Sequence, residues 1–289
     1  MPDQLPMVLS SLSQTLGHLT LPAQRRHLWQ VFRYHLIIRP LGRVLQLWRD
    51  ARVLSLEMVH MISRNRVLAL SGIALGVLIC VALISPLDQA CLETLSVFRR
   101  QKGWVYHTAK ALSHWGDFLG FNLLVLLGLF SMSLLLRSRF LRLVVVASIL
   151  GATFTGGTAN LCRVMLGRAR PCAKVAPGFY GPSLQSQLHA CPSGHTATAF
   201  GGSLPVAVAF PPAGVPLVMV AGGIAWSRMQ NNAHHPTDIW LSILLATLYG
   251  IPLGLLARRM RRHRSLRLQK YAALKSSRPA QAEVIPIKA

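Results

Sequence analysis

Four stretches of this chain, 67–87, 118–136, 143–162 and 239–257, run for 19 to 21 residues without an Asp, Glu, Lys or Arg. As helices rising 1.5 Å per residue, each is long enough to cross a hydrocarbon layer of about 30 Å. A longer uncharged stretch, 175–227, is broken by Phe210-Pro211-Pro212-Ala213-Gly214. Proline pairs and glycine mark a turn, so this stretch predicts two further spans, 193–210 and 215–227. The second is short and is expected to run on into the polar residues that follow, holding them at the membrane surface. Six crossings are predicted.

Backbone groups inside lipid must pair within their own segment, so the spans are expected to be helices. The alternating segments of about ten residues that a β-barrel needs are not visible. The expected fold is therefore all-α, a polytopic six-transmembrane-helix bundle. Composition removes the competing classes. Apolar residues make up 52% of the 289-residue chain, too many for disorder. Five cysteines are too few for a disulfide scaffold of this length. The net charge of +23 points to nucleic acid or to an anionic membrane surface. The uncharged runs decide for the membrane, and no nucleic-acid partner is expected.

Lys and Arg are unevenly placed. With six spans, 22 of the 31 fall in the N-terminal arm, the 2–3 connection and the C-terminal tail, and nine fall on the opposite side. The positive-inside bias then puts both termini in the cytoplasm. Three regions are expected: a basic interfacial arm over 1–66, the membrane domain over 67–257 and a basic cytoplasmic tail over 258–289. No cleavable signal peptide is evident before Arg25. Leu41, Val44, Leu45 and Trp48 repeat at helical spacing beside Arg39, Arg43, Arg49 and Arg52, the pattern of an amphipathic helix lying on a bilayer. The run Arg258–Arg264 reads as a headgroup anchor, and so do Arg99 and Arg100. Small residues crowd the third span (Gly151, Ala152, Gly156, Gly157), which lets helices approach closely.

The polar residues on the far side fall into three clusters. Arg163 and Arg170-Pro171 close the third span; Pro192-Ser193-Gly194-His195 opens the fourth; Ser227-Arg228, His234 and Asp238 lie between the fifth and sixth. Helix parity puts all three on one membrane face, and ionisable groups gathered there suggest a site. Arg163, Arg170 and Arg228 offer three forks for phosphate oxygens. Ser193 and Gly194, at a helix N-terminus, offer backbone N–H groups to the same anion. His234 and Asp238 are four apart and so neighbours on a helical turn. A carboxylate accepting one imidazole N–H leaves the other nitrogen free to attack phosphorus, which gives a phosphohistidine. His195 is the expected general acid for the leaving oxygen. His235, at i, i+3 from Asp238, is the second choice for nucleophile.

These motifs resemble those of the type 2 phosphatidic acid phosphatase (PAP2) superfamily, membrane lipid phosphatases with the patterns K-x6-R-P, P-S-G-H and S-R-x5-H-x3-D. The chain supplies R-V-M-L-G-R-A-R-P from 163, P-S-G-H from 192 and S-R-M-Q-N-N-A-H-H-P-T-D from 227. The match departs at Arg163, which replaces a compact ammonium with a planar fork. The resemblance implies a metal-independent phosphatase with no cofactor and the roles assigned above. A metal site built from His195, His234, His235 and Asp238 is disfavoured by the three arginines, and HExxH and CxxC are lacking.

The expected function is hydrolysis of a lipid phosphate or diphosphate at the outer face of a bacterial inner membrane. Undecaprenyl diphosphate, phosphatidylglycerol phosphate, phosphatidic acid and lipid A phosphates are the candidate substrates. Phosphoryl transfer to a second lipid uses the same intermediate, and a non-catalytic anionic-lipid binder is the alternative outside enzymology. Cys172 and Cys191 flank the first two motifs. In an oxidising compartment they can close a loop worth about 3 kcal/mol in the chain-entropy model. Cys80 and Cys162 are expected to be packing residues, and His107, His114 and His189 to be ordinary loop residues.

Overall fold

A computed structural model describes residues 39–276, which are helical throughout apart from turns and connecting loops, with no strand among them. The chain divides into two units, Met1–Asp50 and Ala51–Ala289, and the candidate site lies wholly within the second. The helices are α1 (Arg39–Arg64), α2 (Arg66–Ile79), α3 (Leu87–Gln101), α4 (Trp104–Trp115), α5 (Leu123–Leu135), α6 (Arg139–Leu166), α7 (Gly194–Ala209), α8 (Pro211–Gln230) and α9 (Pro236–Ser276). Wider π-helical turns at Cys80–Ile84 and Phe118–Asn122 extend α2 and precede α5.

Among the described residues, three helices are long and apolar enough to cross a bilayer: Arg66–Ile84, Arg139–Leu166 and Pro236–Arg261. A fourth is added if Trp104–Trp115 and Gly120–Leu135, bent by 65°, form one broken span. The predicted spans at 193–210 and 215–227 exist as α7 and α8 but fall short by that standard. The first has only 16 residues, and the second is diluted by its glycines, prolines and Arg228.

Packing explains why α7 needs so little greasy surface. It lies between α6, α8 and α9, with Ala197, Ala199 and Val206 fully buried, so protein surrounds it where lipid would surround an outer helix. The small residues of the third span do what their size allows. A Cβ at Gly151 would stand 2.2 Å from the Gly201 carbonyl oxygen, and one at Gly201 would stand 2.6 Å from that of Gly151. The backbones of α6 and α7 therefore touch, as small-residue crossings permit. The α6 helix stops at Gly167, whose φ of +58° suits a left-handed helix terminus.

Several expectations change outside the bundle. The connection between the first two spans is two helices, α3 and α4. Arg99, expected to anchor lipid headgroups, instead donates from Nη1 to the Met229 and Gln230 carbonyls (3.4 and 3.2 Å) and from Nη2 to Leu92 (3.0 Å). It thereby adds a donor at the last carbonyls of α8, where Met229 O also accepts Asn232 N at 2.9 Å. Trp240 Nε1 donates to Gly76 O at 2.8 Å and joins α9 to α2. The helix of the sixth predicted span does not stop at Ala257: α9 continues to Ser276, with Pro236–Arg261 as the stretch long and apolar enough to cross. The helix expected around Leu41–Trp48 is present as part of α1, with Val44 and Trp48 exposed. The rest of the predicted arm, residues 1–38, and the tail beyond 276 lie outside the described residues.

Candidate active site

Alternating helix direction brings the C-terminal ends of α6 and α8 to the N-terminal ends of α7 and α9. The junction is tight. Ser193 N donates to the Asp238 carbonyl at 3.3 Å. Ser242 Oγ lies 2.7 Å from the same oxygen and 3.0 Å from the Ser193 carbonyl. All three predicted motifs therefore meet at one end of the bundle. Ser193 departs from expectation, since its N–H serves this junction rather than facing an anion. It is the N-cap of α7, and its carbonyl accepts the first intrahelical bond, from Ala197 N at 2.9 Å. The N–H groups of Gly194, His195 and Thr196 precede that bond and belong to the open first turn.

Gly194 also makes room for an arginine. A Cβ there would lie 3.0 Å from Arg163 Nη1, so the guanidinium rests against the helix terminus itself. Arg170 comes from the α6–α7 loop, where its N–H donates to the Gln187 carbonyl at 2.9 Å. Its charge is felt at Arg163, Arg228, His195 and His234. Arg228 is steered by a hydrogen bond from Nη1 to Ser113 Oγ on α4. Among the described residues, six buried side-chain nitrogens or oxygens have no hydrogen-bond partner, and three of them are the Nε atoms of Arg163, Arg170 and Arg228. Leaving a buried donor unpaired costs roughly 1–3 kcal/mol. Three unpaired donors converging from three elements form a cradle whose complement is an oxyanion.

His234 is 2% exposed and sits in the short loop between α8 and α9. Its Nδ1 lies 2.7 Å from the Ala190 carbonyl oxygen. A carbonyl only accepts, so Nδ1 carries the proton and Nε2 keeps its lone pair. The sequence assigned that orienting role to Asp238. The carboxylate is instead 3.7 Å from Nδ1, beyond hydrogen-bond reach but close enough to act by charge. Burial pushes the His234 imidazole below its ordinary pKa of 6.5, with Asp238 working in the opposite direction.

Asp238 is fully buried and has other partners. Its Oδ2 accepts from His235 N at 2.8 Å and lies 3.2 Å from His235 Nδ1. Its Oδ1 accepts from Arg168 Nη1 at 2.5 Å. His235, the second choice for nucleophile, thus has one ring nitrogen turned to the carboxylate. Neither Arg168 nor Asp88, which completes this network, was singled out from the sequence. Arg168 falls inside the six-residue gap of the first motif, and Asp88 is about 150 residues from its partner Thr237. The only hint was scarcity, since the chain has just eight acidic residues.

The predicted Cys172–Cys191 disulfide is absent. Both residues are free thiols, Cys172 exposed and Cys191 buried. Burial, followed by the nearby Asp238 charge, pushes the Cys191 thiol well above its ordinary range. A buried, protonated thiol is a poor partner for exchange. Among the described residues, no three His, Cys, Asp or Glu side chains converge as a metal-binding group.

Residues 124–262 match the family model described as "PAP2 superfamily". Among solved structures, the chain is similar to the "first transmembrane PAP2 type phosphatidylglycerolphosphate phosphatase from Bacillus subtilis", at 16% identity and a TM-score of 0.45. That likeness covers 68% of this chain and 96% of that one. No curated protein matches the chain significantly.

Proposed function

The chain belongs to the PAP2 superfamily through residues 124–262, and on that premise we propose that it is a metal-independent lipid phosphate phosphatase working through a phosphohistidine. The observation that carries this reading is the meeting of three unpaired arginine Nε donors beside a buried imidazole whose Nδ1 is held by a carbonyl. Arg163, Arg170 and Arg228, with the first-turn N–H groups of α7, hold the equatorial phosphate oxygens. They supply positive charge where the transition state spreads negative charge. His234 Nε2 attacks phosphorus as the bond to the lipid oxygen breaks, and His195 gives that oxygen its proton. Water then attacks the phosphohistidine, His195 takes the water's proton, and inorganic phosphate leaves.

The same reading keeps six crossings. It takes α7 and α8 as spans sheltered by their neighbours, with both termini cytoplasmic and the arginine cradle on the opposite face. The excess of Lys and Arg in the arm, the 2–3 connection and the tail supports this orientation. The arm over 1–66, the membrane domain over 67–257 and the tail over 258–289 remain the proposed regions. The lipid tail lies among the helices, with the phosphate at the bundle's end. Undecaprenyl diphosphate, phosphatidylglycerol phosphate, phosphatidic acid and lipid A phosphates all present such a group.

Purified protein in detergent is expected to release inorganic phosphate from one or more of these four lipids with EDTA present, and vanadate is expected to inhibit the release. Activity that vanishes in EDTA and returns with a divalent metal would overturn the metal-free reading.

The His234 environment sets the pH response. Only the neutral imidazole attacks, and a lowered pKa keeps it neutral further into acid. The acid limb of kcat/KM is therefore expected below pH 6.5, and at the same pH for two lipid phosphates of different ionisation. A shared limb above 6.5 would contradict the assignment.

A further inference from the structure

Asp88 lies on α3, outside residues 124–262 and outside all three motifs. It is 9% exposed in a chain with few acidic residues. Its Oδ1 accepts Thr237 N at 3.0 Å, and its Oδ2 accepts Thr237 Oγ1 at 2.7 Å. It therefore caps the N-terminus of α9, one residue before Asp238. The same Oδ2 accepts Arg168 Nη2 at 2.9 Å, while Arg168 Nη1 reaches both Thr237 Oγ1 (2.6 Å) and Asp238 Oδ1 (2.5 Å). One guanidinium thus bridges two carboxylates from helices far apart in sequence. Burial by itself would weaken the charge on Arg168, but Asp238 and Asp88 more than offset this and hold its pKa above the ordinary value. The fork geometry matters, because a lysine can point at one carboxylate but cannot span both.

We propose that Asp88 and Arg168 are positioning residues for the phosphatase reaction: an ionic clamp from α3 and the α6–α7 loop that fixes Asp238, and through it sets the charge presented to His234. This rests on the reading of His234 as nucleophile. The clamp carries one positive and two negative charges, a net of one negative charge behind the imidazole. That excess favours the positive charge His234 gains on bonding to phosphorus. The other charged or titratable groups around His234 and Asp238 are Arg228 from α8, Arg170 and Cys191 from the α6–α7 loop, His195 from α7 and His235 beside His234, with the Asp117 carboxylate bearing on His195. Of the charges acting on His234 itself, Asp238 in the clamp is the opposing one.

The test uses charge arithmetic in the full-length enzyme. Asp88→Asn keeps an acceptor for Thr237 N but removes a negative charge, leaving the clamp neutral. Arg168→Gln leaves it doubly negative. The acid limb of kcat/KM is expected to move to lower pH in Asp88→Asn and to higher pH in Arg168→Gln, by about half a unit or more each. The double variant restores the net charge, so its limb is expected to return to that of the unaltered enzyme. Both single variants are expected to lose roughly 10–100-fold in kcat with KM within about twofold, since the cradle is untouched. Product inhibition by inorganic phosphate, which fills the cradle without bonding to His234, at an unchanged concentration in each variant shows that the cradle is still folded. Limbs that stay put, or that move in the same direction in both single variants, would overturn the clamp while leaving the phosphatase reading intact. An inactive unaltered enzyme would instead overturn that reading itself.

Discussion

His234→Ala is expected to abolish phosphate release, lowering kcat by about 10⁴-fold or more, because it removes the nitrogen assigned to attack phosphorus, while His195 is committed to the leaving oxygen. Alanine also strips the Ala190 carbonyl of its donor, which costs roughly 1–3 kcal/mol for a buried group. Loss of fold must therefore be separated from loss of chemistry. His234→Asn does this, since its amide N–H can replace Nδ1–H toward Ala190 while leaving nothing at the Nε2 position. Both variants are expected to be inactive, with the asparagine form retaining the thermal stability of the parent in detergent. A His234→Asn enzyme that turns over at the parent rate would exclude His234 as nucleophile.

Arg170→Ala is expected to give the second largest loss, about 10³-fold in kcat/KM. Arg170 is the centre of the cradle, because its charge reaches Arg163, Arg228 and both histidines. The stability consequence has the opposite sign. Removing one of three mutually repelling, under-paired guanidinium groups relieves strain in the free enzyme, so Arg170→Ala is expected to unfold at the parent temperature or higher. Arg168→Ala should behave differently, since that guanidinium pairs with two carboxylates and its loss leaves Asp238 buried without its strongest partner. Comparing phosphate release and thermal midpoints for the two variants separates an arginine waiting for substrate from one already satisfied by protein.

What the sequence made legible follows from how local each signal is. Arg163, Arg170, His195, Arg228, His234 and Asp238 were found by fixed short spacings, and helix parity alone put them on one face. The long uncharged runs marked α2, α6 and α9 because apolar length is written into a continuous stretch. The predicted span 193–210 is present as α7, but at 16 residues it is shorter than a lipid-exposed crossing needs, and a helix enclosed by protein can carry serine, threonine and glycine that an outer helix would not. Pairings across the chain were out of reach. Nothing near His234 announces the Ala190 carbonyl, and nothing near Arg168 announces Asp88. Arg99 looked like a surface anchor because its partners are carbonyls at the end of another helix. The Cys172–Cys191 disulfide failed for a related reason: closeness to the site along the chain says nothing about which way a thiol turns, and Cys191 turns inward.

The most direct measurement is an experimental structure of the protein with vanadate, which adopts the five-coordinate geometry of phosphorus under attack. Vanadium is expected within bonding distance of His234 Nε2, with its equatorial oxygens held by Arg163, Arg170 and Arg228 and its apical oxygen facing His195. Vanadate bound through any other side chain, or those three arginines turned away from it toward separate surfaces, would contradict the account.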